Sequence, residues 1–327
     1  MLSAATSLDS EETTVSPAPA DTYQRHLKSL DPEEYHATYQ LYSDLKYAES
    51  RNYLEKFSRC RTTSFFIRNT RTGKVRVRTN ACRLRWCPLC GRNKSKSQAI
   101  ATREWAQKAQ NLKLLTLTLR HSRAGLSHQI KHLYKSFQAF RKHPKIAKTF
   151  IGAVWFFQIK TSTSDNLWHP HIHAVIDSPY ISQHLLSRIW LKITKTSTIV
   201  DIRAVYDFRI ALKYIARYAA RPTQLKTLTR PQRTELFTAL HGRRMAGTWG
   251  SAHAISLSPK AEKDVKGWEP LGSWESIKDT HGTSPIAREI WRAYTAGVPY
   301  HGPALQPHLA KLWEGVGSYV PYGDSDP

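Results

Sequence analysis

The stretch Trp168-His169-Pro170-His171-Ile172-His173-Ala174-Val175-Ile176 constrains the fold of this 327-residue chain more tightly than any other. A β-strand has a side-chain period of two, so His169, His171 and His173 share one face. Pro170, Ile172, Ala174 and Ile176 then share the other, which suits a core. The flanking segments extend the pattern. Strands are predicted at Leu112–Leu119, Gly152–Lys160 and Thr198–Val205, and helices at Leu126–Phe140, Ser182–Lys192 and Asp207–Arg221, the last ended near Pro222. The order β-α-β-β-α-β-α suits an α+β fold: a central antiparallel sheet with helices on one face.

The rest of the chain is less regular. Residues 1–20 are Ser, Thr, Ala, Pro and acid rich and read as disordered, and residues 22–57 suit one or two short helices. A hairpin is predicted from Ser64–Arg68 and Val75–Arg78, turning near Thr72-Gly73, and a helix over 96–110. After Pro222 the pattern weakens into a Gly-rich basic stretch, His241–Gly250, and a Pro-rich tail with one helix near Ile286–Ala296. The predicted partition is a partly disordered or helical region 1–55, a cysteine-bearing basic segment 56–104, a catalytic domain 105–225, and a mostly helical or irregular C-terminal region 226–327.

Charge narrows the partners. The net charge is +24, and from Lys56 to Arg103 there are fourteen Lys or Arg residues and no Asp or Glu. A solvated face normally mixes signs, so a one-sign run of this length points to a polyanion, with nucleic acid favoured. The longest apolar run, Phe150–Phe157, is far short of the roughly 20 residues that span a bilayer. No signal peptide is visible at Met1–Thr6, and a soluble, cytoplasmic protein with no membrane partner is expected.

Three constellations carry chemistry. Two imidazoles at i and i+2 on a strand can bind one metal ion, and clustered unpaired imidazole nitrogens are poor core material. Gln158, on the preceding strand, could offer an uncharged amide oxygen to the same ion, although on spacing alone it reads as an ordinary polar face residue. Tyr214 and Tyr218, four apart, share one helix face beside a basic stripe of Lys213, Arg217 and Arg221. Such a pair usually packs, but neighbouring cations would hold a phosphate and favour phenolate. Cys60, Cys82, Cys87 and Cys90 lie within 31 residues, and Cys87-Pro88-Leu89-Cys90 forms a knuckle suited to a closed structural Zn²⁺ site.

In this order the motifs resemble those of the plasmid rolling-circle replication initiators of the HUH endonuclease superfamily. Leu115–Leu119 looks like the family's first motif and His169–His173 closely matches the second. Tyr214–Arg221 looks like the third, tyrosine-bearing motif, and the Cys-Pro-x-Cys knuckle upstream is common in the family. The resemblance covers roughly residues 60–250. It implies an HUH-type sheet and a Mg²⁺ or Mn²⁺ ion held by His171 and His173, with Gln158 standing where many members have glutamate. It also implies that Tyr218 attacks a phosphodiester of plasmid origin DNA, single-stranded or in a hairpin, leaving a 5′-phosphotyrosyl link and a free 3′-OH. Many members carry glutamate where Tyr214 stands; two tyrosines resemble the version in initiators of isometric single-stranded DNA phages. Tyr214 would then be a second nucleophile or a substitute for that glutamate. A host helicase and polymerase are the expected protein partners. The rival readings are a transposase or relaxase of the same superfamily, a non-catalytic zinc-dependent nucleic-acid-binding regulator, and a zinc hydrolase, the last without an evident acidic base beside the histidines.

Overall fold

The computed structural model describes residues 31–45, 53–162, 165–206, 223–257 and 267–310. In chain order these form α1 (Pro32–Asp44), α2 (Tyr53–Ser58), β1 (Ser64–Asn69), β2 (Val75–Thr79), α3 (Pro88–Ala106), β3 (Leu112–Thr118), α4 (Leu126–Lys142) and α5 (Pro144–Thr149). Then follow β4 (Gly152–Thr161), β5 (Trp168–Asp177), α6 (Gln183–Thr194), β6 (Val200–Ala204), α7 (Arg230–Leu240), β7 (Ala246–Gly250), β8 (Trp268–Ser273), α8 (Trp274–Thr280) and α9 (Pro285–Ala296). The expected disorder of residues 1–20 and the helix expected over Asp207–Arg221 fall outside the described residues.

Five strands form one antiparallel sheet in the order β6-β3-β5-β4-β7. The histidine strand β5 is therefore central. Its proline is tolerated because β3 pairs with β5 only as far as Thr118 opposite His171, so Pro170 lies beyond the end of that neighbour. β3 stops there with its last carbonyl already engaged: Thr118 O accepts from Trp190 Nε1 at 2.8 Å and from Ser197 Oγ at 2.7 Å.

One sheet face is a continuous apolar layer. Leu115, Leu117, Trp155, Phe157, Ile159, Ile172, Ala174 and Ile176 pack against α4, α6 and α7 through residues such as Ile130, Phe137, Phe140, Trp190 and Leu236. Most of these side chains are fully buried, each worth roughly 1.5–3 kcal/mol against exposure. Helices α1 and α2 join the same core through Leu41, Tyr42 and Phe57. The expectation of helices on one face holds for α4, α6 and α7 and needs a correction elsewhere. Trp105 and Ala106, at the end of α3, together with Ala252 of the 3-10 turn Ser251–Ala254, cover Val154, Phe156 and Val175 on the opposite face.

The expectation of a mostly helical or irregular C-terminal region also needs correction. Besides three helices it supplies β7, the edge strand beside β4, and β8, which pairs with β1 to complete a second sheet in the order β2-β1-β8. That small sheet has its own core, in which Phe66, Val75, Leu271, Trp274 and Ile290 meet. Pro270 is tolerated because β8 is an edge strand and its register shifts opposite Phe66 and Ile67. Helix α3 starts at Pro88 and ends at Ala106, earlier than the expected 96–110, because the cysteine knuckle is itself the first helical turn. Among the described residues no helix is long and apolar enough to cross a membrane.

Candidate metal centres and active site

The strand register brings the imidazoles and the amide together. On the half of the sheet face that α3 leaves uncovered, His171 stands between Thr118 and Gln158, and His173 between Thr116 and Phe156. Both histidines are buried, at 5% and 6% exposure. His171 Nε2 lies 2.5 Å from Gln158 Oε1, and His173 Nε2 lies 2.9 Å from the same oxygen. The two rings are 4.6 Å apart and nearly perpendicular.

The outer nitrogens set the tautomers. His171 Nδ1 is 3.0 Å from the His169 carbonyl, which can only accept, so the proton sits on Nδ1 and the Nε2 lone pair faces inward. His173 Nδ1 pairs with Thr116 Oγ1 at 3.1 Å. Burial is the main cause that lowers both pKa values, with Lys160 adding to it, to about 4 for His171 and about 2 for His173. Both imidazoles are thus neutral at neutral pH, the state in which histidine ligates a metal. A lone pair of neutral His171 pointing at an amide oxygen at 2.5 Å is repulsive unless a cation or proton lies between them. Two imidazole nitrogens and one amide oxygen form a donor set that a divalent ion fits, and its mixed nitrogen–oxygen character suits Mn²⁺ better than Mg²⁺.

His169 does not join this cluster. Its ring packs edge-on against His121 at 4.4 Å, and its Nε2 is buried without a partner. His121 in turn lies 3.6 Å from Asp165. Sequence reasoning gave no role to Thr116 beyond motif membership; its signal was the alternation of Thr116 and Thr118 with Leu115 and Leu117. Tyr214, Tyr218, Lys213, Arg217 and Arg221 lie outside the described residues.

The four cysteines do converge. The Cys60–Cys90, Cys82–Cys90 and Cys87–Cys60 sulfur pairs are 3.6, 3.7 and 3.7 Å apart, and all four sulfurs lie within 4.8 Å of one another. A disulfide would bring two of them to about 2 Å, whereas Zn–S bonds of about 2.3 Å set tetrahedral sulfurs roughly 3.8 Å apart. The set therefore fits a metal ion. Cys87 caps α3 and accepts from Cys90 N at 3.5 Å. Hydrogen bonds from the other three thiols hold Cys90 as thiolate, while burial raises Cys87. A bound Zn²⁺ would take its cysteine ligands as thiolates. Cys60, Cys87 and Cys90 belong to the main core, so this cluster is built into the body of the protein.

The fold and site define a basic α+β protein with a two-imidazole, one-amide cluster at the centre of an antiparallel sheet and a separate four-thiol cluster that could hold a metal ion. Residues 74–295 match the family model described as "Replication protein", and the chain belongs to that family. It is 25% identical over 277 residues to a protein named "Protein rep" from Streptococcus pneumoniae serotype 2, an alignment covering 77% of this chain and 85% of that protein. It is 26% identical over 168 residues to a "Protein rep" from Staphylococcus aureus, covering 46% of this chain and 73% of that protein. No solved structure matches this chain significantly.

Proposed function

We propose that the protein initiates rolling-circle replication of a plasmid by nicking its origin with a tyrosine. The observation that carries this reading is the convergence of His171 Nε2 and His173 Nε2 on Gln158 Oε1, with the family membership supplying the biological setting. His171, His173 and Gln158 hold a divalent ion, Mn²⁺ or Mg²⁺. When bound, that ion supplies Lewis-acid polarisation of the scissile phosphate. Tyr218 attacks phosphorus through its phenolate oxygen. The bond to the 3′-oxygen breaks, that oxygen takes up a proton as the free 3′-OH, and the 5′-phosphate stays on the tyrosine. Lys213, Arg217 and Arg221 steady the phosphate and favour the phenolate. Tyr214 takes the second transesterification. The bond energy is kept in the phosphotyrosyl link, so no nucleoside triphosphate is required for cutting or rejoining.

The HUH-type sheet, the catalytic domain over 105–225 and the zinc-bearing segment over 56–104 belong to the same proposal. Zn²⁺ on Cys60, Cys82, Cys87 and Cys90 would be structural, joining the chain just after α2 and the loop before α3 to the first turn of α3. The test is a titration of nicking activity with Mn²⁺ on a labelled single strand from the protein's own replicon. Cleavage is expected to saturate with Mn²⁺ in the wild type and to be lost in His173→Ala. Cleavage undiminished in His173→Ala, or equally fast in chelator, contradicts the reading.

A further inference from the structure

The sheet face opposite the histidine cluster is covered by α4, α6 and α7, with α5 following α4; of these, α4, α5 and α6 contain no Asp or Glu, and α7 carries only Glu235. Their outward residues follow helical spacing. Lys131, Lys135 and Lys142 line the exposed side of α4; Arg188 and Lys192, with Lys195 just past its end, line that of α6. All six are exposed, and none makes an ion pair within the described residues. The contrast with the rest of that layer is sharp: around α7 and α1, Arg230 pairs with Asp44 at 2.7 Å, and Lys226 pairs with Asp31 and Glu33 at 3.3 and 3.2 Å. Ordinary solvated helices mix signs to limit self-repulsion. Two adjacent helices that keep like charges in register at i, i+4, where each pair is destabilising, would have that cost offset by an anionic partner.

We infer that the α4–α6 face is a second DNA-binding surface, which holds double-stranded DNA flanking the nick while the opposite face of the sheet holds the single strand to be cut. The geometry favours a duplex. At about 1.5 Å per residue, α4 is roughly 25 Å long, a span that meets phosphates of both strands over about seven base pairs. The two stripes run side by side because α4 and α6 pack against each other through Phe140 and Trp190. A helix layer on a sheet puts this surface roughly 15 Å or more from the histidine cluster, so the DNA it holds is a separate stretch from the strand under attack. No side chain here reads bases in an evident pattern, so the surface supplies affinity and orientation through phosphates, with the salt dependence that this entails.

The inference goes beyond the nicking proposal, and its test does not depend on which tyrosine attacks. The full-length, zinc-loaded protein carrying Lys131→Gln, Lys135→Gln, Arg188→Gln and Lys192→Gln, all exposed, is compared with wild type, with binding measured without added Mn²⁺ or Mg²⁺ and Mn²⁺ supplied only for cleavage. The probes are a duplex of about 30 base pairs from its own replicon and a single strand of about ten nucleotides spanning the nick. The log–log slope of duplex affinity against salt is expected to shrink by about 3.6, at roughly 0.9 for each of the four phosphates no longer neutralised, with affinity lower on the order of a hundredfold. Binding and Mn²⁺-dependent cleavage of the short strand are expected to stay within about twofold, at salt high enough to screen net charge. Unchanged duplex affinity and slope overturn the inference and leave an acidic protein as the partner of this face. Equal losses on duplex and short strand overturn it too, because the surface would then serve the cut strand itself. Failure of cleavage with both proteins, with the duplex difference intact, would count against the nicking proposal alone.

Discussion

Acidification should destabilise the protein through its two clustered histidines, by an amount that their burial sets. In the folded chain His171 and His173 titrate at about 4 and about 2, against the ordinary 6.5 expected once unfolded. The folded pKa values are depressed, so the unfolded chain binds protons that the folded chain refuses. Stability is therefore fully present above pH 6.5 and is lost as pH falls, down to about 4 for His171 and about 2 for His173. Between about pH 7.5 and 5 each withheld proton costs ~2 kcal/mol, or about 4 kcal/mol for the pair, as an order of magnitude. That is a large share of a typical net stability of 5–15 kcal/mol. Urea unfolding followed by tryptophan fluorescence, without added Mn²⁺ or Mg²⁺, would measure it. Zinc release from the thiols also follows pH, so the informative quantity is the difference from a His171→Gln, His173→Gln double variant. The wild type should lose about 4 kcal/mol more than that variant over this range. Parallel profiles, or a wild type that gains relative stability in acid, would refute the reasoning that burial holds these rings neutral.

Other substitutions test other links. Thr116→Val removes the hydroxyl at 3.1 Å from His173 Nδ1 and should weaken Mn²⁺ binding about tenfold, as loss of an orienting partner does; calorimetric titration would show it, and unchanged affinity would remove Thr116 from the site. Cys87→Ser should abolish a zinc stoichiometry of about one per chain and leave the protein insoluble or strongly destabilised, because zinc on such ligands is worth about 10–16 kcal/mol and Cys87 is fully buried in the core; metal analysis and thermal melting check both. Glu235 accepts from Leu126 N at 2.9 Å and from Trp168 Nε1 at 2.8 Å. It thereby caps α4, whose own N-cap is Gly125, and anchors the start of the histidine strand. Glu235→Ala should cost about 2–3 kcal/mol in chemical denaturation, with near-zero cost showing that water replaces the carboxylate.

Much of the sheet was legible because its strands advertise themselves. β3, β4 and β5 are apolar runs or strict alternations, and each was bounded within two residues. β7 was not legible. Ala246-Gly247-Thr248-Trp249-Gly250 reads as a loop because the glycines answer to tertiary demands: a Cβ on Gly247 would meet the Trp155 indole at 2.7 Å, and Gly250 has φ +59. β8 carries Pro270 and Gly272 and pairs with a strand some two hundred residues earlier, a partnership that no local pattern encodes. At the site, alternation put His171 and His173 on one face, but only the β4–β5 register places Gln158 opposite His171 rather than one pleat away. The exclusion of His169 was illegible for a similar reason: it depends on where His121 folds back from the end of β3.

The most direct test of the nicking account is to incubate the protein with Mn²⁺ and end-labelled single-stranded DNA from its own replicon, isolate any denaturation-resistant adduct, and map the modified residue by mass spectrometry. The account predicts a nucleotide phosphate on Tyr218, an adduct lost in Tyr218→Phe and in His171→Ala, and one that persists in Tyr214→Phe. Tight DNA binding with no adduct and no cleavage on any replicon fragment would contradict it and leave a zinc-dependent DNA-binding regulator in its place.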